Sequence, residues 1–508
     1  MMTSENLFEL FRSRFPYDLD ALFIETPDGG CWSYRDLEIE SARLAHLLSA
    51  QGLQPGDRVM VQVDKSPHVL LLYLACLRGG FIYLPLNTAY RQRELEYFFT
   101  NAAPRVIVCR PDTVELWQTL DKAHTCALYT LDSQGQGTLF EQCRGYEPDF
   151  PLADCRADTI AAILYTSGTT GRPKGAMITH RNLAANGLAL HQCWGWQPGD
   201  VLLHALPLYH AHGLFVACHC VLLNGSAMLF LPTFDAAEVT RWLSHATVFM
   251  GVPTYYARLL DYPGFDREAC RTMRLFISGS APLLERTFNA FRERTGHTIL
   301  ERYGMTETEM NTSNPLHGER IAGTVGKPLP GVSLRIVDET GREVQTGEVG
   351  QLLVKGNNVF KGYWGLPEQT AQEFTADGFF KTGDLARIDA NGYVSIVGRA
   401  KDLIITGGLN VYPKEVEGLI NEIDGVAESA VIGLPDPDFG EAVTAIVVRE
   451  PGREDITKAM ILARLKVTIA GFKVPKQIFF TDRLPVNAMG KVQKNVLREQ
   501  AARGTINP

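Results

Sequence analysis

Short apolar runs rich in β-branched residues recur along the first 330 residues, separated by longer helical stretches. The segment from Val59 to Pro85 fits a strand, a helix and a second strand, with a glycine pair before the second strand. RVIVC, AMLFL, ATVFMGV and MRLFISG continue the pattern. This alternation predicts open, mainly parallel sheets flanked by helices, and ligands of such sheets bind at the loops that follow the strands.

The pattern changes beyond Pro328 to short alternating strands with turn residues, as in GVSLRIVDETGREV and NGYVSIVGR, which predicts a small β-rich subdomain. The tail has helix and strand signals of its own in KEVEGLINEI, ESAVIGLP and EAVTAIVV. We therefore predict an α/β multidomain protein. An N-terminal region over residues 1–400 contains the parallel sheets and the β-rich subdomain, and a small α+β domain follows over residues 401–508.

Composition narrows the function classes. The formal charge is −8 over 508 residues and the basic residues are dispersed, which disfavours a nucleic-acid or membrane-surface partner. No apolar run reaches the roughly 18 residues of a membrane span, and the N-terminal segment has acidic residues where a secretory signal is apolar. The ten cysteines are scattered, which predicts reduced thiols and a cytoplasmic location. The oligomeric state stays open between a monomer and a weak dimer.

One group of histidines and cysteines is a candidate zinc site: His210, His212, Cys218, His219 and Cys220. The cysteines, however, lie in the apolar run GLFVACHCVLL, where a buried thiol behaves as a small hydrophobe. We therefore do not expect zinc here.

A glycine- and hydroxyl-rich segment follows the strand-like run TIAAILY. Its glycines let the backbone turn tightly, while its hydroxyls, its amides and a terminal lysine can bind phosphate oxygens. The spacing differs from the GxxxxGK[ST] phosphate loop, because no Ser or Thr follows the lysine. The predicted phosphate-binding residues are Thr166, Ser167, Gly168, Thr169, Thr170, Gly171, Arg172, Pro173 and Lys174.

TSGTTGRPKG resembles the phosphate-binding signature of the adenylate-forming superfamily, which includes acyl-CoA synthetases. PLYHAHG, ERYGMTE, FKTGDLA, YVSIVGRAKDLIITGGLNVYP and LPVNAMGKVQK match further motifs of that family in the expected order. The resemblance spans most of the chain. It implies an ATP-dependent enzyme that activates a carboxylic acid as its acyl-adenylate and transfers the acyl group to coenzyme A.

The resemblance also implies roles for single residues around ATP. It places Tyr303 at the adenine face, Thr306 near the α-phosphate, Asp384 at the ribose hydroxyls and Arg399 at the same sugar and phosphate. It assigns Mg²⁺ to Glu307, and a carboxylate suits that ion because Mg²⁺ is bound through few protein groups plus substrate phosphates.

Three residues of the C-terminal part carry implied roles in the two half-reactions. Lys491 matches the lysine that approaches the substrate carboxylate and the α-phosphate, where an ammonium relieves the repulsion between two anions. Lys401 matches the hinge about which a mobile C-terminal domain rotates. Gly408 matches the glycine beside the pantetheine tunnel, where a side chain would narrow the path of the thiol.

Substrate choice centres on Arg302, since many relatives have glycine at this position, which leaves room for an acyl chain. A guanidinium there disfavours an apolar tail and can bind a second carboxylate through two hydrogen bonds. ERYGMTE, ISGSAPLLERTF and LYHAHGLF together resemble malonyl-CoA synthetases. Ser278, Ser280 and His210 are predicted further donors to the acid, with His210 also counted among the catalytic residues.

Several alternatives stay open at this point. Arg302 could pair with Glu301 or Glu307 and point away from the pocket, and Arg286 is a rival carboxylate ligand, although its spacing places it on the water-facing side of a helix. Methylmalonate differs from malonate by one methyl group, which a pocket discriminates weakly. Other short-chain acids, or the loading of a carrier protein in place of free coenzyme A, are the remaining readings.

Overall fold

The computed structural model describes residues 5–166, 173–407, 409–437, 439–487 and 491–506. The strands are β1 (Leu22–Glu25), β2 (Cys31–Ser33), β3 (Arg58–Gln62), β4 (Ile82–Pro85), β5 (Val106–Cys109), β6 (Ala127–Thr130), β7 (Ile160–Thr166), β8 (Lys174–Thr179), β9 (Val201–His204), β10 (Ala227–Phe230), β11 (Val248–Gly251), β12 (Leu275–Ser278), β13 (Leu300–Met305), β14 (Glu309–Ser313), β15 (Lys327–Pro328), β16 (Val332–Val337), β17 (Gly350–Gly356), β18 (Gly362–Tyr363), β19 (Phe380–Ile388), β20 (Val394–Arg399), β21 (Ile404–Thr406), β22 (Leu409–Val411), β23 (Val426–Asp436), β24 (Gly440–Arg449) and β25 (Gln477–Phe480).

The α-helices are α1 (Leu7–Arg12), α2 (Tyr34–Ala50), α3 (Pro67–Gly79), α4 (Gln92–Ala102), α5 (Val114–Leu120), α6 (Thr138–Cys143), α7 (His180–Cys193), α8 (His219–Asn224), α9 (Ala236–Trp242), α10 (Pro253–Asp261), α11 (Glu285–Thr295), α12 (Pro367–Gln372), α13 (Pro413–Asn421), α14 (Lys458–Lys466) and α15 (Lys494–Ala502). Short 3₁₀ turns lie at Pro111–Thr113, Leu243–His245, Ala400–Asp402 and Gly471–Lys473, and a π-helical turn lies at His212–Cys218. Among the described residues, no helix is both long enough and apolar enough to cross a membrane.

Two large sheets form the N-terminal region. A nine-stranded sheet has the order β15-β14-β13-β12-β11-β9-β10-β1-β2, and a seven-stranded sheet has the order β18-β8-β7-β4-β3-β5-β6. The predicted strand–helix–strand unit is β3, α3 and β4, with the two strands parallel. The neighbouring pairs β9/β10, β11/β12 and β12/β13 are parallel as well. The predicted α/β fold class is confirmed.

Helix α3 shows why the two sheets pack together. It is apolar on all sides and buried along almost its whole length, which is the pattern of a helix inside a core. Pro67 occupies its first turn, and Gly80 ends it in the left-handed conformation, with φ at 66°. One continuous core contains residues of α1, α3, α7 and α8 together with strands of both sheets.

The rest of the chain forms two smaller sheets. Strands β16, β17, β19 and β20 form the predicted β-rich subdomain, and all their pairings are antiparallel. Strands β21 to β25 form a five-stranded sheet whose two cores use residues from Ile404 onward. The division at residues 400 and 401 and the hinge at Lys401 stay predictions.

The C-terminal part contacts the N-terminal region through two long basic side chains. Arg286 of α11 donates to the backbone oxygens of Val426 at 2.6 Å and Ala427, so its guanidinium lies on the C-terminal part and not in water. Lys414 of α13 donates to the backbone oxygen of Ile396 at 2.7 Å. These hydrogen bonds fix the two parts relative to each other in this arrangement.

Candidate active site

The predicted phosphate loop connects two paired strands. Strands β7 and β8 are antiparallel, with Thr166 directly opposite Lys174, so the chain reverses between them. Ser167, Gly168, Thr169, Thr170, Gly171 and Arg172 lie outside the described residues. At the return side of the loop, the backbone oxygen of Pro173 accepts a hydrogen bond from the Tyr97 hydroxyl at 2.8 Å.

Glu307 lies at the entrance of this loop. Its carboxylate Oε1 accepts hydrogen bonds from the Thr166 hydroxyl at 3.3 Å and the Tyr363 hydroxyl at 3.1 Å. Burial raises the pKa of this carboxyl, opposed by its hydrogen bonds and by the charge of Arg399. Thr306, the predicted α-phosphate residue, precedes it in the turn between β13 and β14. A buried anionic oxygen thus faces the place where triphosphate is predicted.

Lys174 is 6% exposed, and its ammonium lies 3.4 Å from a carboxylate oxygen of Glu373. It also lies 4.7 Å from the centre of the Tyr363 ring, within the range of a cation–π interaction. The distance to Glu373 is long for a charge-assisted hydrogen bond. The ammonium can therefore turn towards a phosphate without breaking a strong contact.

A second cluster consists of Tyr303, Asp384 and Arg399. Asp384 and Arg399 are directly opposite each other on β19 and β20, and Arg399 Nε lies 2.6 Å from Asp384 Oδ1. The other carboxylate oxygen of Asp384 accepts the Tyr303 hydroxyl. The side chain of Asp384 is almost fully buried, so the pair holds both partners in a fixed orientation. The three residues predicted at adenine and ribose are brought together.

Lys491 lies within electrostatic range of this cluster, although 107 residues separate it from Asp384 in the sequence. Partial desolvation of this exposed ammonium lowers its pKa to about 8, and the positive charge of Arg399 is the second cause. Lys401, in the 3₁₀ turn Ala400–Asp402, also contributes. Gly408 lies outside the described residues, so its predicted place beside a thiol tunnel stays a prediction.

A third cluster surrounds Arg302, which lies on β13 next to the end of β12. Strand β12 ends at Ser278, which is opposite Glu301 of β13, so residues 278–280 run beside the arginine. The guanidinium packs against Gly279: a Cβ atom added there would lie 2.4 Å from Arg302 Cζ. Glycine at 279 therefore makes room for the guanidinium. The alternation of a strand sends Arg302 and Tyr303 to opposite sides, so one strand serves two clusters.

Arg302 has no counter-ion within ion-pair distance among the described residues. It is 2% exposed, and its Nε and Nη2 atoms have no hydrogen-bond partner. Glu301 instead accepts the backbone N–H of Leu283 at 3.1 Å, and Glu307 faces the phosphate loop. Neither predicted pairing forms. Burial lowers the pKa of the guanidinium to about 10, so it stays charged at neutral pH.

Glu309 is the acid whose charge acts most strongly on Arg302. It is 1% exposed and both of its carboxylate oxygens lack a hydrogen-bond partner among the described residues. Burial raises the pKa of the Glu309 carboxyl to about 8, although the positive charge of Arg302 opposes the rise. The carboxyl is therefore mostly protonated at pH 7, and Arg302 keeps its net charge.

Other polar atoms around Arg302 lack partners as well. Ser278 is fully buried and its hydroxyl has none among the described residues, and the same holds for Nε2 of His210. Burial lowers the pKa of the His210 imidazole to about 4, so the ring is neutral. Ser280 has φ at 72°, and its hydroxyl lies 3.2 Å from Nδ1 of His212. The predicted donors therefore lie around one pocket, with Ser280 directed at a histidine.

The π-helical turn His212–Cys218 begins within this pocket. Gly213 permits the tight chain reversal before it, because a Cβ atom there would lie 2.1 Å from the backbone oxygen of Pro207. π-helical turns are rare and occur often at functional sites. Cys218 and Cys220 are fully buried in the main core. Among the described residues, no group of three or more histidine, cysteine or acidic side chains is arranged to hold a metal ion.

The sequence prediction missed His212, Gly279, Glu309 and Tyr363. His212 and Glu309 are each two residues from a predicted site residue, so the motifs pointed to the right segments but not to these side chains. Gly279 stands between two predicted serines. Nothing in the sequence marked Tyr363, whose hydroxyl reaches Glu307 from a short strand far along the chain.

Comparison with known proteins identifies the family. The AMP-binding enzyme model matches residues 8–364, and the model of the AMP-binding enzyme C-terminal domain matches residues 415–491. A probable CoA ligase, CCL8, from Humulus lupulus is 38% identical over 89% of this chain and 81% of that protein. A malonate–CoA ligase from Arabidopsis thaliana is 35% identical over 98% of this chain and 89% of that protein.

A solved structure is more similar still. The crystal structure of ATP-bound MatB from Rhodopseudomonas palustris is 52% identical and superimposes with a TM-score of 0.96. The match covers 99% of this chain and 100% of that one. The order of the clusters along the chain, the fold and both family models agree. The chain belongs to the AMP-binding enzyme family.

Proposed function

We propose that this protein is an AMP-forming malonyl-CoA synthetase, which converts malonate, ATP and coenzyme A to malonyl-CoA, AMP and diphosphate through a malonyl-adenylate. The observation that carries the choice of acid is the buried guanidinium of Arg302, which has no counter-ion within ion-pair distance among the described residues. Relatives named malonate–CoA ligase support the same acid.

The energetic argument for a second carboxylate is direct. Removing a guanidinium from water costs several kcal/mol, and only a partner with matching hydrogen bonds offsets that cost. Glu309 is mostly protonated at neutral pH and does not provide such a partner. The distal carboxylate of a short diacid does, because it brings one negative charge and accepts two hydrogen bonds from the guanidinium. An apolar acyl tail would leave the cation unpaired.

The other two clusters fit the triphosphate and the sugar of ATP. Lys174 and the ends of the 167–172 loop lie beside Glu307, while Asp384 and Arg399 form a polar pair suited to the ribose hydroxyls. Tyr303 presents an aromatic ring on the same side. We propose that these residues bind ATP and that Thr306 contacts the α-phosphate.

Glu307 fits Mg²⁺ on the chemistry of its donor set. It presents one buried, hard carboxylate oxygen beside the proposed phosphate site, and Mg²⁺ binds through few carboxylates plus phosphate oxygens. When bound, the ion would neutralise negative charge on the phosphates. Glu307 and the Thr166 hydroxyl beside it would hold it.

Lys491 supplies the charge that the first half-reaction needs. A carboxylate that attacks the α-phosphorus meets another anion, and an ammonium between them stabilises the developing charge. The acyl-adenylate formed has a good leaving group, so the thiol of coenzyme A then displaces AMP. Rotation about Lys401 would replace Lys491 by the segment around Gly408, which would open the path of the thiol.

A panel of acids with an arginine variant tests the choice of substrate. We expect pyrophosphate release with malonate but little with acetate, propionate or aryl acids, and coenzyme A should be needed for sustained turnover. Methylmalonate is included because one methyl group changes discrimination by only about 1–3 kcal/mol. Arg302→Ala should lower kcat/KM for malonate by roughly 10²–10⁴-fold, since it removes a charge partner worth about 3–5 kcal/mol.

Arg271→Ala is the matched control for that panel, because Arg271 is exposed and pairs only with Glu268 three residues away. It should leave malonate turnover unchanged. Normal malonate turnover by Arg302→Ala would refute the assignment of the pocket.

A lysine variant tests the division of labour between half-reactions. Lys491→Ala should lower the rate of malonyl-adenylate formation by about 10²–10³-fold. It should leave the reaction of supplied malonyl-adenylate with coenzyme A close to normal, because that step needs no charge between two anions. Lys466→Ala, at the exposed end of α14, is the control. Equal losses in both half-reactions would contradict this role for Lys491.

Glu309 predicts a pH dependence that is specific to diacids. Its carboxyl ionises as the pH rises through about 8, and the new negative charge then competes with the distal carboxylate of malonate for Arg302. KM for malonate should rise above pH 8 by up to about tenfold per pH unit, as for a single ionisation. Glu309→Gln should abolish the rise, because an amide does not ionise.

The ratio of kcat/KM for malonate and propionate is the measurement, since effects of Lys491 ionisation act on both acids and cancel in it. A ratio that stays constant from pH 7 to pH 9.5 in the unmodified protein would rule out this role of Glu309.

A further inference from the structure

His212 is the buried histidine beside Arg302 that no step described so far uses. It is 3% exposed and begins the π-helical turn His212–Cys218. Its Nδ1 atom lies 3.2 Å from the Ser280 hydroxyl, whereas its Nε2 atom is buried without a hydrogen-bond partner among the described residues. A buried polar atom without a partner costs free energy, so a ligand atom is expected opposite Nε2.

The position of the ring follows from the segment that supports the guanidinium. Arg302 packs on Gly279, and the next residue, Ser280, reaches His212. The imidazole and the guanidinium therefore flank the same short stretch of chain. The charge of Arg302 acts strongly on the ring, second only to burial among the causes that lower its pKa.

The charge state of His212 suits a site for one carboxylate. Burial holds the pKa of the imidazole well below its usual range, and the charge of Arg302 lowers it further. The ring is thus neutral and has one N–H donor and one acceptor nitrogen. A neutral donor beside a single cation adds a hydrogen bond for an anion without adding a second positive charge.

Ser280 determines which nitrogen carries the proton. When its hydroxyl donates to Nδ1, the proton resides on Nε2, and Nε2 becomes a donor that points away from Ser280. Ser280 has φ at 72°, a left-handed conformation that is uncommon for a residue with a side chain. This conformation carries the hydroxyl to the ring.

We propose that His212 is a specificity-determining residue that donates its Nε2–H to the distal carboxylate of the acid, alongside Arg302, and that Ser280 is a positioning residue that fixes the tautomer of His212. The inference rests on the proposed diacid substrate. It extends that proposal, since discrimination between a diacid and a monoacid then depends on two donors of different charge.

Two substitutions of similar size separate the nitrogens. His212→Asn keeps a polar group near the position of Nδ1, in reach of Ser280, but removes the donor at Nε2. His212→Gln keeps a neutral N–H near the position of Nε2. Kinetics are measured by pyrophosphate release with malonate and with propionate, which replaces the distal carboxylate by a methyl group. His317→Asn is the control, because His317 is exposed.

We expect His212→Asn to lower kcat/KM for malonate by about 10- to 100-fold, mostly through KM, as for a lost hydrogen bond to a charged group. Turnover of propionate should stay within about twofold, which also shows that the variant folds. His212→Gln should retain most malonate activity. Unchanged malonate kinetics in His212→Asn, or equal losses with both acids, would overturn the proposal.

The role of Ser280 has its own spectroscopic test. ¹⁵N shifts of histidine-labelled protein distinguish protonated from unprotonated ring nitrogens, and the His212 signals are identified by their loss in His212→Gln. Ser280→Gly removes the hydroxyl and tolerates the left-handed backbone. We expect Nε2–H alone in the unmodified protein and a mixture of tautomers in Ser280→Gly. Identical His212 shifts in the two proteins would refute the positioning role.

The outcomes separate this inference from the function beneath it. If the unmodified protein releases no pyrophosphate with malonate, both proposals fail. If it turns over malonate and His212→Asn does so equally well, the inference alone fails and malonate activation stands.

Discussion

A buried guanidinium without a counter-ion shapes the acyl pocket. Arg302 lies beneath the protein surface with two of its nitrogen atoms unpartnered among the described residues, against a glycine that leaves space for it. Such a charge is destabilising unless an anion meets it. The nearby acid Glu309 is held mostly protonated by its own burial, so it does not quench the charge at neutral pH. The pocket is therefore organised around an anion that the substrate brings.

Strand β13 connects this pocket to the nucleotide site. Its alternation sends Arg302 towards the acid and Tyr303 towards the Asp384–Arg399 pair, and the turn after it carries Thr306 and Glu307. Neighbouring residues on one rigid strand keep the reacting carboxylate and the phosphates in a fixed relation. Positioning of this kind can supply a large share of the rate of a two-substrate reaction.

Much of this arrangement was predictable from the sequence, for identifiable reasons. Strands such as β5 and β12 are short apolar runs with clear boundaries, so the parallel sheets followed from periodicity. Arg302 was found because it lies within a recognisable motif. His212 and Glu309 were not found, because a motif fixes the segment but burial and the lack of partners appear only when distant strands meet. Arg286 was expected to face water, yet it bonds to carbonyls that follow 140 residues later.

The most direct measurement is a crystal structure of the full chain with a non-hydrolysable malonyl-adenylate analogue. The account predicts the distal carboxylate within about 3 Å of the Arg302 guanidinium, which is the range of a charge-assisted hydrogen bond, and the phosphate beside Thr306. A distal carboxylate in solvent, with Arg302 paired to Glu309 or turned out of an apolar cavity, would contradict the choice of malonate.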